Sequence, residues 1–191
     1  STPLHHAAAY GTPAIVKSLL RAGAAVEAKN RFGHRPLHWA FASREKTALL
    51  LERGALVNSQ ANDGRTPLYL AASQHSTREV FDLLLAKGAD PNLGTTNGRT
   101  PLMAAAGGGE VEMMRRLIAR KAEVNAVSGT GSMALMDAAA SRNAEAVALL
   151  LANGAQVNAR TKRNQTALAA AATFGSQDIA RMLLAKGADV N

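Results

Sequence analysis

Apolar positions along this chain follow a helical interval in short bursts. Ile15, Val16, Leu19 and Leu20 fall at the i, i+3, i+4 spacing that buries one helix face, and Val80, Leu83 and Leu84 repeat it farther on. The bursts close alike, as LLRAGAAVE, LLERGALVN, LLAKGADPN, IARKAEVN, LLANGAQVN and LLAKGADVN, each joining a helix stop to an extended piece. Ahead of each lies a second run, opened by TPLHHA at 2–7, RPLHWA at 35–40, TPLYLA at 66–71, TPLMAA at 100–105, MALMDA at 133–138 and TALAAA at 166–171. The motif leucines Leu4, Leu37, Leu68, Leu102, Leu135 and Leu168 are 33, 31, 34, 33 and 33 residues apart. Two signals locked in phase through six copies predict six helix pairs.

The local chemistry agrees with that division. Thr caps a helix whose first turn tolerates Pro, because that position lacks an intrahelical acceptor anyway. Alanines along the first helix let neighbouring helices approach closely. Gly23, Gly54, Gly88, Gly154 and Gly187 stand where the second helix ends in a left-handed residue. Gly33, Gly64, Gly98 and Gly131 each precede the motif leucine by four residues, where a tight turn wants positive φ, and Asn164 takes that place in the sixth copy.

On these motifs the chain resembles the ankyrin-repeat family over essentially all of its 191 residues. The resemblance implies an all-α repeat solenoid of helix-turn-helix repeats with projecting β-hairpin fingers, in one domain spanning 1–191. The repeats would run over about 1–29, 30–60, 61–94, 95–127, 128–160 and 161–191. No repeat would fold alone, since each buries its apolar face only against its neighbours.

The adjacent His5 and His6 suggest chemistry, but neighbouring helical residues point about 100° apart and cannot chelate one ion as an i, i+4 pair could. The resemblance gives His5 and His38 a structural role, bonding to backbone around the turn. Tyr69, Met103, Met136 and Ala169 take that position in the later copies, so no ligand ladder recurs and no metal is expected. GGGE at 107–110 and GTGS at 129–132 lack the buried strand and Lys-Ser/Thr continuation of a phosphate loop, and are expected in the repeats' own loops. Asp137 is expected as a solvated or capping carboxylate. No nucleophile, base and orienting residue assemble from these spacings, so neither enzyme activity nor a cofactor is expected.

Composition adds little to fold and more to partner. The chain is 47% hydrophobic and only 4% aromatic, which suits thin layers of small helices. It has no cysteine, so disulfides and thiolate sites are excluded while the compartment stays open. No apolar window is long enough to span a bilayer. The Ala- and Arg-rich composition points to a bacterial source.

The net charge is +8. Charge placed on the fingers predicts binding, because fingers and first helices would face the concave surface without being needed for stacking. The finger positions include Lys29, Arg31, Phe32, His34, Gln60, Asn62, Asp63, Arg65, Asn97, Arg99, Arg160, Lys162, Arg163 and Gln165. They hold seven Lys/Arg against one Asp, a net +6, leaving +2 for everything else. This predicts a protein or peptide partner with an acidic surface, engaged by arginine forks and by Tyr10, Phe32 and Phe174 as aromatic anchors. Trp39 is expected to pack between repeats. Nucleic acid is disfavoured, because stacking on single strands needs aromatics along the groove and the middle fingers have none. A structural or regulatory array within a larger protein is the alternative.

Three irregularities stand out. Copy two is two residues short between its helices, and copy three is one long around SQHST, which predicts uneven loops. Lys121 fills a glycine position and must either strain into the left-handed region or distort the helix end. Met133-Ala134 replaces Thr-Pro in copy five. Neither end reads as a polar cap, which predicts a segment of a longer protein whose bare ends invite self-association. Residues 121–134 are the weakest join by this reasoning. Hydrogen exchange is expected to be fastest there among the internal repeats, and equal protection at every junction would refute it.

Overall fold

The computed structural model describes residues 1–74 and 77–191, and among them every regular element is an α-helix. In the first half, α1 (Pro3–Tyr10) pairs with α2 (Pro13–Arg21), α3 (Pro36–Trp39) with α4 (Arg44–Glu52), and α5 (Pro67–Ala72) with α6 (Arg78–Ala86). In the second, α7 (Pro101–Gly108) pairs with α8 (Val111–Ala119), α9 (Ala134–Ala140) with α10 (Ala144–Ala152), and α11 (Ala167–Thr173) with α12 (Gln177–Ala185). This is the all-α repeat architecture that the sequence period predicts. Residues group into two compact units, Ser1–Thr96 and Asn97–Asn191. Within the first, α1, α3 and α5 pack in one row against a row of α2, α4 and α6. The second unit repeats the arrangement with α7, α9 and α11 against α8, α10 and α12.

Helices of four to nine residues are too short to persist alone, so burial must hold them. Leu4, Leu37, Leu68, Leu102 and Leu135 are essentially fully buried, which is worth about 1.5–3 kcal/mol for each side chain. Ala8, Ala40, Ala71, Ala105, Ala139 and Ala171 are buried completely, and only so small a side chain lets the first helices lie this close. On the second helices Val16 and Leu20, one turn apart, carry the buried line, whereas Ile15 is 49% exposed. The apolar stripe of α2 is therefore narrower than its spacing suggests. In α6 the line is Val80, Phe81, Leu84 and Leu85, with Leu83 only half-buried.

Threonine side chains cap three of the first helices, whereas the Thr2 hydroxyl of α1 meets His5 Nδ1 at 2.9 Å instead. Thr66, Thr100 and Thr166 accept from the N–H groups of Tyr69, Met103 and Ala169 at 3.0, 3.3 and 3.1 Å. By contrast α9 opens on Met133, whose buried thioether gives no such bond. The predicted left-handed residues all have positive φ, Asn164 at 61° among them. Gly131 shows why glycine is needed: φ is 82°, and a Cβ there would sit 2.8 Å from the Lys162 nitrogen and 2.9 Å from the Thr161 Cα. Lys121 takes the first of its two alternatives, a left-handed φ of 64°.

Within the units, asparagines of three VN endings tie one repeat to the next. Asn58 Nδ2 donates to the Gly88 carbonyl at 3.2 Å while its Oδ1 accepts from the Asp90 N–H at 2.9 Å. Asn125 does the same with Gly154 and Gln156, and Asn158 with Gly187 and Asp189. Glu27 replaces the asparagine in copy one, accepting from the Leu56 N–H and pairing with Arg35 at 2.7 Å. Lys46 is an unexpected buried cation. Its Nζ donates to the Ala9 and Gly11 carbonyls, both at 3.2 Å, where the negative end of the α1 dipole favours it, although burial lowers its pKa.

Local differences from the sequence reading have local causes. The missing residues of copy two shorten α3 to a single turn. The extra residue of copy three falls at SQHST, of which His75 and Ser76 lie outside the described residues. Gly107 and Gly108 complete the last turn of α7 instead of lying in a loop, and Gly109 ends it at φ 71°. The fingers carry no strand among the described residues. The first is a tight turn held by two backbone bonds, Asn30 N–H to the His34 carbonyl and Gly33 N–H to the Asn30 carbonyl, both at 2.9 Å, too short to start a ladder, and the fingers at 61–65, 128–132 and 161–165 repeat the pair.

Two substitutions test this backbone account by urea or thermal unfolding. Lys121→Gly relieves the left-handed strain and should stabilise by about 0.5–1 kcal/mol. Gly131→Ala meets both positive φ and backbone contact and should cost about 2 kcal/mol or more.

Candidate functional site

The histidines of the motif hold the fingers in place. His5 Nδ1 accepts from the Thr2 N–H at 3.1 Å, so Nε2 carries the proton and donates to the His34 carbonyl of the next finger at 2.9 Å. His38 repeats this with the Arg35 N–H at 3.1 Å and the Arg65 carbonyl at 3.1 Å. Both rings are buried, and both use their two nitrogens structurally. Burial, helped by the neighbouring His34, pushes the His38 pKa down to about 4, and burial likewise lowers that of His5. In α7 and α9 the same position is filled by the buried Met103 and Met136.

Fingers are also bonded to one another, contrary to the expectation that stacking does not need them. Asn62 donates through its backbone N–H to the Phe32 carbonyl at 2.9 Å and through Nδ2 to the Arg31 carbonyl at 3.2 Å. Thr96 bonds to the Asp63 carbonyl, and Gln60 Nε2 reaches the Gly64 and Gly94 carbonyls. In the second unit Gly129 bonds to the Asn97 carbonyl at 2.7 Å and Lys162 N–H to the Thr130 carbonyl at 2.9 Å, while the Gln165 carbonyl closes its own turn. The next finger thus supplies bonds that the backbone of these turns would otherwise make to water.

A groove of about 540 Å³ opens in the first unit between the first helices and the first finger. Tyr10, Phe32 and His34 line it as expected from the sequence, Tyr10 being 85% and Phe32 54% exposed. Trp39, Phe41 and Leu70 complete its apolar wall. Trp39 packs against repeat one, edge-on to the rings of His5 and His6 at 5.7 and 5.8 Å, and its Nε1 donates to His34 Nδ1 at 3.4 Å. It therefore both packs and lines the groove. Sequence reasoning missed Phe41, yet a signal existed: four of the seven aromatic residues, Tyr10, Phe32, Trp39 and Phe41, fall in the first two copies.

In the second unit Arg99, Lys162, Arg163 and Gln165 line a polar groove of about 570 Å³. Phe174, 49% exposed, borders a smaller one of about 300 Å³ with Met136, Ala169 and Thr173. Pairing divides the basic residues. Arg65 lies 3.2 Å from Asp63, Arg160 3.2 Å from Asp189, and Arg99 3.0 Å from Asp137. Asp137 is thus an ion-paired, largely buried carboxylate and not a solvated or capping one; burial raises its pKa against the opposing pull of Arg99. Counting fingers alone overlooked Asp137 and Asp189, which lower the local excess from +6 to +4. Among the described residues Lys29, Arg31, Lys162 and Arg163 have no carboxylate partner and are exposed. The Arg31 guanidinium lies 4.6 Å from the Phe32 ring centroid. No cluster of three His, Asp or Glu suited to a metal occurs among the described residues, and no helix there is long and apolar enough to cross a membrane.

A family profile described as Ankyrin repeats (3 copies) matches residues 4–95, 45–128, 72–161 and 121–191. The human Neurogenic locus notch homolog protein 4 is 46% identical over 74 residues, 37% of this chain and 4% of that protein. A Putative ankyrin repeat protein of Rickettsia bellii is 42% identical over 76 residues, 36% of this chain and 32% of that protein. The BTB/POZ domain and ankyrin repeat-containing protein NPR3 of Oryza sativa subsp. japonica is 39% identical over 79 residues, 40% of this chain and 13% of that protein. The matches thus span at most about a third of these relatives' lengths.

The histidine geometry fixes a pH dependence. The folded pKa of His38 lies below its unfolded value of 6.5, so the unfolded chain binds more protons and stability falls as pH drops. Between pH 7 and 4.5 the loss at His38 should be on the order of 2 kcal/mol. Unfolding of the wild type should therefore be steeper in this range than that of His38→Gln; parallel curves would contradict the assignment.

Proposed function

Because the chain belongs to the ankyrin-repeat family, we propose that it is a non-enzymatic module binding a protein or peptide whose contact surface is acidic. Ankyrin repeats generally mediate protein-protein interaction, and the acidic character of the partner is the further step. The observation that carries it is that four exposed cations on the fingers, Lys29, Arg31, Lys162 and Arg163, have no carboxylate partner among the described residues and stand beside grooves in their respective units. Fully exposed charges at a rim steer association and set its salt dependence more than they set affinity.

Within this reading the candidate residues differ in role. Tyr10, Phe32, His34 and Phe174 offer apolar contact, Lys29, Arg31, Lys162 and Arg163 offer charge, and Arg99 and Gln165 line the second unit's polar groove. Gln60, Asn62, Asp63, Arg65, Asn97 and Arg160 act first through the fingers, by the bonds and pairs that hold them.

The test is capture from a source extract by the wild-type chain and by a variant carrying Lys29→Gln, Arg31→Gln, Lys162→Gln and Arg163→Gln, both shown folded by circular dichroism. A protein held by the first at low salt and lost by the second supports the reading. Equal capture by both sinks the basic surface, and capture by neither favours the structural or regulatory array. Nuclease-sensitive capture would replace protein with nucleic acid.

A further inference from the structure

The groove of the first unit has properties that select its occupant. Tyr10 and Phe32 stand with most of their ring surface in water, while Trp39, Phe41 and Leu70 form the wall beside them. Apolar rings held open around a cavity of this size mark a contact surface, and about 540 Å³ lies inside the range of small-ligand pockets. Polar atoms of the wall are already committed. Trp39 Nε1 donates to His34, and His38 bonds the Arg35 N–H and the Arg65 carbonyl. Apart from the exposed Tyr10 hydroxyl, what the groove offers an incoming group is ring face and ring edge, the geometry in which aromatic pairs favour association beyond burial.

Charge decides between an aromatic and a cationic occupant. No Asp or Glu lines the groove, so a quaternary or ammonium group entering it would meet rings without a counter-ion. The charge at its edge is positive: Arg31 stacks on Phe32, and Lys29 is two residues behind on the same finger. An arginine held over a ring is oriented in advance and presents its fork to a carboxylate.

We propose that this groove anchors one aromatic side chain of a linear peptide whose adjoining residues are Asp or Glu. The proposal rests on the protein-binding reading above and adds to it the residue class that is recognised. Phe, Tyr or Trp fills the space bounded by Tyr10, Phe32, Trp39 and Phe41, and the flanking carboxylates meet Arg31 and Lys29.

The experiment is selection of a random peptide library displayed on phage against the intact chain, followed by calorimetric titration of the enriched peptides as synthetic probes. Expected is a consensus with one aromatic residue next to at least one Asp or Glu. Replacing that aromatic by Ala, or using Tyr10→Ala or Phe32→Ala protein, should weaken binding by about tenfold or more. Arg31→Gln should weaken it by less and flatten its salt dependence. Tyr10 and Phe32 are exposed, so neither substitution touches the core. Failure to enrich any peptide, a basic consensus, or affinity unchanged in both Ala variants overturns the proposal. Peptides that depend on the finger cations but not on Tyr10 or Phe32 would overturn it too, while leaving the acidic-partner reading intact.

Discussion

Within each unit, repeats end in turns whose backbone polar groups are met partly by the following repeat, and the fold of the unit depends on those bonds. His5 and His38 reach forward to carbonyls of the following finger, and Asn58, Asn125 and Asn158 reach forward to the glycine that ends the following helix pair. Burial of small helices supplies the free energy of stacking, but these bonds set its register. An unpaired buried donor or acceptor costs about as much as a lost hydrogen bond, so a slip between neighbours would forfeit the histidine bonds, while the exposed asparagine bonds would pass to water.

That constraint also explains where the surface is available for binding. Asn62 and Gln60 are occupied with neighbouring backbone, and Arg65, Arg99 and Arg160 with carboxylates. On the fingers the cations left without such duties are Lys29 and Arg31, beside the aromatic groove of the first unit, and Lys162 and Arg163, at the polar groove of the second. The abbreviated α3 contributes to the first of these. With the helix only one turn long, Phe41 follows it at once and lines the opening together with Trp39.

Much of this was legible in the sequence because it repeats. Period, helix pairing, threonine caps and left-handed turns each appear several times, so a local signal is checked by its copies. The ankyrin resemblance implied the structural role of His5, and Tyr69, Met103, Met136 and Ala169 at the same position spoke against a repeated ligand ladder. What repetition could not reveal was anything particular to one copy: the burial of Lys46 under the end of α1, the pairing of Asp137 with Arg99, and the meeting of Phe41 with Tyr10 and Phe32. Those depend on which side chains from different repeats face one another, and a one-dimensional charge count mixes paired with unpaired residues. An asparagine closes every later ending, as VN in all but the third copy, yet its role needed the distance to the next glycine.

The central claim is that partners meet the first unit through its aromatic groove. Nuclear magnetic resonance of the isotopically labelled chain, with and without its tightest-binding captured protein or selected peptide, tests it most directly. Trp39 is the sole tryptophan, so its indole N–H is a single resonance inside the groove. The account predicts that this signal and the backbone amides of Arg31 to His34 shift most, with α2, α4 and α6 unmoved. Shifts concentrated on those second helices, with the Trp39 signal unchanged, would contradict it.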